Sequence, residues 1–237
     1  MAKISIAIPT WECYGKGSEF LDDLLRTIEI QTFKDFEVVI SDHSLNDDLL
    51  TVIDEFKNKF DIVYIKNEND RGNGPANTNN AIEHCNGNLI KIMFQDDFFY
   101  DDESLEKIYT SLSESDKMWL LNGCNHTADH GHSFYWDFYP AFNDKLLDGV
   151  NTISSPSVIT FKKEVTRRFD TNLVYYMDLD FYYGMKLHYG DPIIYNDILV
   201  SNRFPSDYSV TTNVSNKNKE YYERVESEYC KKKYSIV

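Results

Sequence analysis

The apolar positions along the chain follow two periods. Lys3–Ile8, KISIAI, alternates and is β-branched, which predicts a first strand that Pro9 stops. Phe20, Leu21, Leu24, Leu25 and Ile28 recur at helical spacing behind Ser18, which reads as the helix cap. Phe36–Ile40 predicts a second strand, and Leu49, Leu50, Ile53 and Phe56 mark a second helix. Ile62–Ile65 is a third strand, and the polar loop Lys66–Gly74 follows it. Gly74-Pro75 then opens a third helix, because proline lacks an N–H that the first helical turn leaves unused. Leu89–Phe94 is a fourth apolar run of strand length. Strands and helices thus alternate over the first hundred residues, which predicts a parallel sheet with right-handed crossovers.

The second part of the chain is less regular. Asp102–Leu112 reads as a helix and Met118–Leu121 as a strand. Asn122–Tyr139 is rich in histidine and aromatics, and Asn143–Ser157 has little periodicity. Ser157–Phe161 is a strand, Lys162–Arg168 a short helix, and Asp178–His188 a helix stopped by Gly190. Asp191–Ser201 carries the last strand. Lys217–Lys233 is a terminal helix, acidic first and basic last, which complements its dipole. With no internal repeat or low-complexity linker, the reading is one domain over 1–237. About 1–100 forms a nucleotide-binding half, about 101–215 an acceptor half, and 216–237 a C-terminal helix.

Composition narrows the function. Hydrophobic residues at 42% are enough to fill a core. The formal charge of -15 argues against nucleic acid, which is held by lysine and arginine on its phosphates. It leaves room for a small phosphate ligand, because one metal ion inverts the local field. No apolar run approaches the roughly 20 residues that span a bilayer, and MAKISIAIPT opens as a strand and not as a signal peptide. Cys13, Cys85, Cys124 and Cys230 stand far apart without a CxxC pair, which suits a reducing, cytoplasmic setting.

The candidate chemistry sits at the end of the fourth strand, in Asp96 and Asp97. In parallel α/β sheets, ligands bind beyond the carboxyl ends of the strands. Adjacent carboxylates there are hard oxygen ligands for Mg²⁺ or Mn²⁺, which bind one or two acids plus substrate phosphates. The plainer use of an Asp-Asp pair is to begin a polar turn. Neither GxGxxG after the first strand nor GxxxxGK[ST] is present, so no dinucleotide fold or P-loop is signalled.

Several motifs stand together in order. They are Ile8-Pro9-Thr10, Gln31-Thr32-Phe33-Lys34-Asp35-Phe36-Glu37, Ser41-Asp42-His43-Ser44 and Gln95-Asp96-Asp97. Phe169-Asp170-Thr171-Asn172-Leu173 and Met177-Asp178-Leu179-Asp180 follow. In this order the chain resembles the family 2 glycosyltransferases of GT-A fold, over roughly residues 3–210. It departs from them by lacking the first acid of the metal motif and by carrying Met177 in place of a glutamate.

The resemblance implies an α/β GT-A fold with a mostly parallel, Rossmann-like sheet. It implies inverting transfer of a sugar from a nucleoside diphosphate, most simply UDP, to an acceptor hydroxyl on a carbohydrate or other alcohol. Asp96 and Asp97 would hold Mn²⁺ or Mg²⁺ on the diphosphate, with Gln95 beside them. Asp42 would accept from uracil or ribose, and Pro9, Thr10 and Glu12 would line the same pocket. Arg71 and Asn79 would hold the nucleotide side, and Arg203 would steady the diphosphate. Asp178 would be the general base, with Asp180 as its competitor two positions on. A helix-capping role is the alternative for either acid.

The run His126-Thr127-Ala128-Asp129-His130-Gly131-His132 has metal-like spacing but reads as acceptor-side or merely polar. Two other function classes remain open on the residues: a nucleotidyltransferase that makes nucleotide-sugars, and a catalytically inactive carbohydrate- or nucleotide-binding module. The first wants a basic, glycine-rich loop after the first strand, of which Trp11–Glu19 is a feeble version.

Overall fold

In a computed structural model, which describes residues 2–205 and 207–236, the chain forms one curled sheet covered by helices. The first half follows the alternation in the sequence. Strands β1 (Ile4–Thr10), β2 (Phe36–Asp42), β3 (Asp61–Lys66) and β4 (Leu89–Ile92) pair in the order β3-β2-β1-β4, all parallel. Helices α1 (Gly17–Glu29), α2 (Asp48–Phe56) and α3 (Gly74–Glu83) form the crossovers. Helix α1 buries Phe20, Leu21, Leu24, Leu25 and Ile28, the stripe expected of it. Each such side chain contributes about 1.5–3 kcal/mol by leaving water.

The second half is mixed. After a two-residue strand β5 (Phe98–Phe99) and helix α4 (Ser104–Leu112) come β6 (Trp119–Thr127), β7 (Tyr135–Phe138) and β8 (Ile159–Lys162). Helix α5 (Met177–Tyr189), β9 (Ile193–Arg203) and α6 (Val210–Lys233) complete the chain. The sheet continues β4-β8-β6-β9-β5, with β7 paired to β6. Strand β8 runs antiparallel to both β4 and β6, so β4 and β6 point the same way, and β9 is parallel to β6. Consequently β1, β2, β4, β6 and β9 all end at one edge of the sheet. That common edge is what makes a site possible.

Several local expectations need correction. Ser18 does not cap α1, which starts at Gly17 with Lys16 at the cap position and no capping side-chain bond. Lys162–Arg168 is not a helix: Lys162 ends β8, and 163–168 is a turn followed by irregular chain. Strand β4 stops at Ile92, two residues short of the expected Phe94, and Asp96 lies in a turn. Strand β6 does not stop at Leu121 but runs through Thr127. Its polar residues are buried against polar partners: Ser201 Oγ donates to Asn125 Oδ1 at 2.6 Å, and Lys91 Nζ donates to Asn122 Oδ1 at 3.0 Å. Helix α6 begins at Val210 and breaks at Asn218, close to the expected start at Lys217.

Candidate active site

Acid pairs occupy two corners of the shared edge and its neighbourhood. At the first corner, Asp97 is buried and well supplied with neutral donors. Ser155 Oγ donates to Oδ2 at 3.1 Å and the Arg203 N–H donates to Oδ1 at 3.3 Å. Ser157 and Asn202 add side-chain hydrogen bonds. Asp96 is partly exposed, and no neighbouring side chain among the described residues donates to it. Burial first, and then the negative charge of Asp97, push the Asp96 carboxyl up to about 7. Burial also raises Asp97. An under-served carboxylate beside a second acid is a natural cation site, because a divalent ion relieves both costs at once.

The donor set fits Mg²⁺ or Mn²⁺. Among the described residues no cluster of three His, Cys, Asp or Glu is arranged to hold a metal, so two acids would bind the ion with phosphate oxygens and water as the remaining ligands. The histidine-rich run adds none. His126 Nδ1 bonds the Trp136 carbonyl, and Asp129 is spent on its own turn, accepting from Thr127 Oγ1 and from the Ser133 N–H and hydroxyl. His130 lies between Asp23, at 2.7 Å, and Glu19, at 3.3 Å.

Arg203, the last residue of β9, ties this corner to α1. Its Nη2 donates to Asp23 at 2.7 Å, its Nε donates to the Asp96 carbonyl at 3.3 Å, and its guanidinium stacks on Phe20 at 4.4 Å. It lines a cavity of about 290 Å³ with Lys16, Phe20, His130 and Tyr208.

At the second corner, at the start of α5, Asp178 and Asp180 part company. Asp178 is partly exposed and accepts from the Leu179 N–H at 2.8 Å and from Asn151 Nδ2 at 2.9 Å. Burial holds its carboxyl up at about 7 against these donors. Asp180 is fully buried and neutralised: Arg167 Nη2 lies 2.6 Å away, Lys233 Nζ 2.9 Å away, and the Tyr234 hydroxyl donates at 2.9 Å. Arg167 reaches it only because Gly184 has no side chain, since a Cβ there would stand 1.9 Å from the guanidinium carbon. Asp180 is therefore a core anchor joining α5 to α6, which corrects its expected role as competitor for the base.

The two corners are joined by the loop 151–155. The Asn151 amide that serves Asp178 also donates to the Ser154 carbonyl at 3.3 Å. Ser154 Oγ donates to Asn202 Oδ1, Asn202 Nδ2 donates to Ser155 Oγ, and Ser155 holds Asp97. Ser154 sits at φ 90°, a conformation a side chain rarely adopts, at a cost of about 1–3 kcal/mol. Sequence reasoning missed this connection, because the stretch has no periodicity to betray it.

The remaining candidates divide. Thr10 is buried, its hydroxyl donating to the Ser41 carbonyl, and Pro9 lies beside it on β1. Glu12 stays near the surface and accepts from the Leu45 N–H at 3.3 Å. Asp42 has no exposed surface and already serves the Ser44 N–H, the Tyr64 hydroxyl and Lys66. It is placed to hold Tyr64 and Lys66 rather than to offer a bare oxygen to a base. Arg71 is exposed and meets only Glu68 among the described residues, at 3.4 Å.

Gln95 and Asn79 clamp backbone. Gln95 exchanges two hydrogen bonds with the Trp11 backbone, at 2.6 and 3.0 Å, and Asn79 exchanges two with Phe169, both at 2.8 Å. Asn77 was not foreseen. Its amide donates to the carbonyls of Thr10 and Ser41, pinning the ends of β1 and β2 together.

Comparisons with known proteins agree with this architecture. Among curated relatives, a Campylobacter jejuni GalNAc(5)-diNAcBac-PP-undecaprenol beta-1,3-glucosyltransferase is 29% identical over 98 residues, covering 41% of this chain and 30% of that protein. A Staphylococcus aureus poly(ribitol-phosphate) beta-N-acetylglucosaminyltransferase, TarS, is 27% identical over 101 residues, covering 41% of this chain and 17% of its own length. The chain therefore spans less than a third of the length of these two relatives. The structure of S. aureus TarS 1-349 in complex with UDP-GlcNAc superposes with a TM-score of 0.72 at 17% identity, over 89% of this chain and 61% of that one. A mannosyltransferase from Pyrobaculum calidifontis, in complex with GDP-Man and Mn²⁺, gives 0.64 at 16% identity, over 86% of this chain and 57% of that one. At such identities the likeness establishes the fold, which is GT-A. The family model described as Glycosyl transferase family 2 matches residues 5–170, a stretch that holds Asp96 and Asp97 and stops before Asp178 and Arg203. The chain belongs to glycosyl transferase family 2.

Proposed function

We propose that the protein transfers a sugar from a nucleoside-diphosphate donor, UDP-linked by analogy with the bound TarS neighbour, to an acceptor hydroxyl, with inversion at the anomeric carbon. The observation that carries this reading is the hydrogen-bonded loop that links Asp178 to Asp97, the buried neighbour of the open acid Asp96. Asp96, backed by Asp97, is the group that would hold Mn²⁺ or Mg²⁺ against the donor diphosphate. Such an ion supplies charge stabilisation for a departing phosphate oxygen.

The protein's own residues handle the rest. Arg203 contributes a fixed positive charge beside the Asp96 backbone, on the wall of the cavity next to it. Lys16, on the same wall, pairs with Glu19 at 2.7 Å and is close enough to the surface to turn toward a phosphate. Asp178 takes the proton from the acceptor hydroxyl as that oxygen attacks the anomeric carbon. A carboxyl raised to about 7 suits this task near neutral pH, because it is a stronger base than an ordinary carboxylate while about half of it is still ionised there. Asn151 and the Leu179 N–H each hold one carboxylate oxygen and so fix the orientation of the group.

The test is a donor screen that measures nucleoside-diphosphate release from UDP- and GDP-sugars, with and without Mn²⁺. Release that depends on the metal and is lost in Asp96→Ala supports the reading. Turnover of a nucleoside triphosphate to a nucleotide-sugar, or nucleotide binding without any release, contradicts it.

A further inference from the structure

We infer that Trp136, Phe204 and His126 form a stacking platform for a pyranose ring of the acceptor, an inference that rests on the transferase reading above. The platform lies at the shared sheet edge. In the parallel pairing of β6 with β9, His126 stands opposite Asn202 and Thr127 opposite Arg203. The Phe204 N–H, one residue beyond Arg203, donates to the Thr127 carbonyl at 2.9 Å. Strand β7 folds back antiparallel on β6, with Tyr135 opposite His126, and so brings Trp136 to the same place. The aromatic group therefore stands where β6 and β9 end, with Phe204 next to Arg203 along the chain.

Three observations mark it as a ligand surface. First, Trp136 is 67% exposed and Phe204 38% exposed, although their rings stand only 6.1 Å apart and 41° from parallel. Both rings stay open to solvent although they are neighbours. Second, Trp136 sits where the pairing of β7 with β6 shifts register, and its φ of 50° belongs to that bulge, a device that re-aims a side chain and is common beside active sites. Third, His126 ties the group together. Its ring lies 6.1 Å from Trp136 and 5.9 Å from Phe204, near perpendicular to both, and its Nδ1 bonds the Trp136 carbonyl at 3.0 Å. Among the described residues its Nε2 has no partner and is left for a ligand hydroxyl.

The exposed ring of Trp136, with Phe204 tilted beside it and one hydrogen-bonding nitrogen at its side, matches a pyranose. Such a ring has a face of C–H groups and a rim of hydroxyls, so one ligand satisfies both features at once. An open-chain polyol has the hydroxyls but no face, and a lipid tail has the apolar surface but no use for His126.

The experiment measures binding and turnover on the full chain. Saturation-transfer NMR is run with methyl glycosides of glucose, galactose, N-acetylglucosamine and N-acetylgalactosamine, and with ribitol 5-phosphate as the open-chain probe. At least one glycoside is expected to receive saturation on the C–H protons of one ring face. Trp136→Ala should weaken that binding, and raise the acceptor KM, by about tenfold, the scale of one ring contact. The donor KM should stay as it was, and Trp136→Phe should restore most of the effect if the variant folds. Equal binding by wild type and Trp136→Ala, or a preference for ribitol phosphate over every glycoside, overturns the platform. Glycoside binding that needs Trp136 in a protein that releases no nucleoside diphosphate overturns the transferase reading and leaves the platform standing.

Discussion

The two acid pairs are built from the same residue type and end differently. At Asp96–Asp97 the buried partner is held by neutral donors: hydroxyls, an amide and a backbone N–H. No cation hydrogen-bonds Asp97 among the described residues, and its neighbour is left under-served. At Asp178–Asp180 the buried partner is held by Arg167 and Lys233, so its charge is cancelled inside the protein. What decides whether a buried acid serves chemistry or stability is the charge of its donors. Neutral donors keep a negative field available to a ligand, whereas cations consume it. Asp178 escapes because its own donors, Asn151 and the Leu179 N–H, are neutral.

The contrast is tested most severely by removing one acid at a time. Asp178→Asn should lower kcat by about 10²–10⁴-fold while leaving donor binding intact, as expected for loss of a general base. Asp180→Asn should do the reverse. It leaves Arg167 and Lys233 without their buried counter-charge and should cost about 3–5 kcal/mol of stability in denaturant unfolding, with turnover retained wherever the variant is folded.

The next test uses pH. Because Asp178 must be ionised to act, the kcat/KM profile should rise with pH and level off above about 7. Stability should move the other way. A carboxyl whose folded pKa is raised binds more protons folded than unfolded, so the group's contribution is full below about 4 and is lost as pH rises toward 7. Asn151→Ala removes a donor that favours the charged form, so it should shift the acid limb of the rate profile upward and cost a few-fold at neutral pH. The smallest effect is expected from Arg71→Ala. An exposed side chain paired only with Glu68, among the described residues, should change donor KM by less than about twofold.

How much of this was legible in the sequence follows from the range of the interactions. The first three strands, the α1 stripe and the placement of Asp178 at the start of α5 depend on local pattern, and the structure keeps them, whereas β4 ends at Ile92 and leaves Asp96 in a turn beyond it. Bonds between distant residues were not legible. Gln95 meets Trp11 and Asn79 meets Phe169 across long sequence separations, and an amide bound to backbone carries no pattern of its own. Strand β6 was cut short for a related reason. Asn122 and Asn125 read as loop residues until Lys91 and Ser201 supply their buried partners. Asp180 was indistinguishable from Asp178 in the sequence, since Arg167 and Lys233 come from other elements.

The most direct measurement is a side-by-side turnover assay of Asp178→Asn and Asp180→Asn with Mn²⁺ and a donor identified by the screen, at a temperature where circular dichroism shows both variants folded. The account predicts that Asp178→Asn is nearly inactive and Asp180→Asn runs at close to the parent rate. An active Asp178→Asn beside a folded but inactive Asp180→Asn would contradict it.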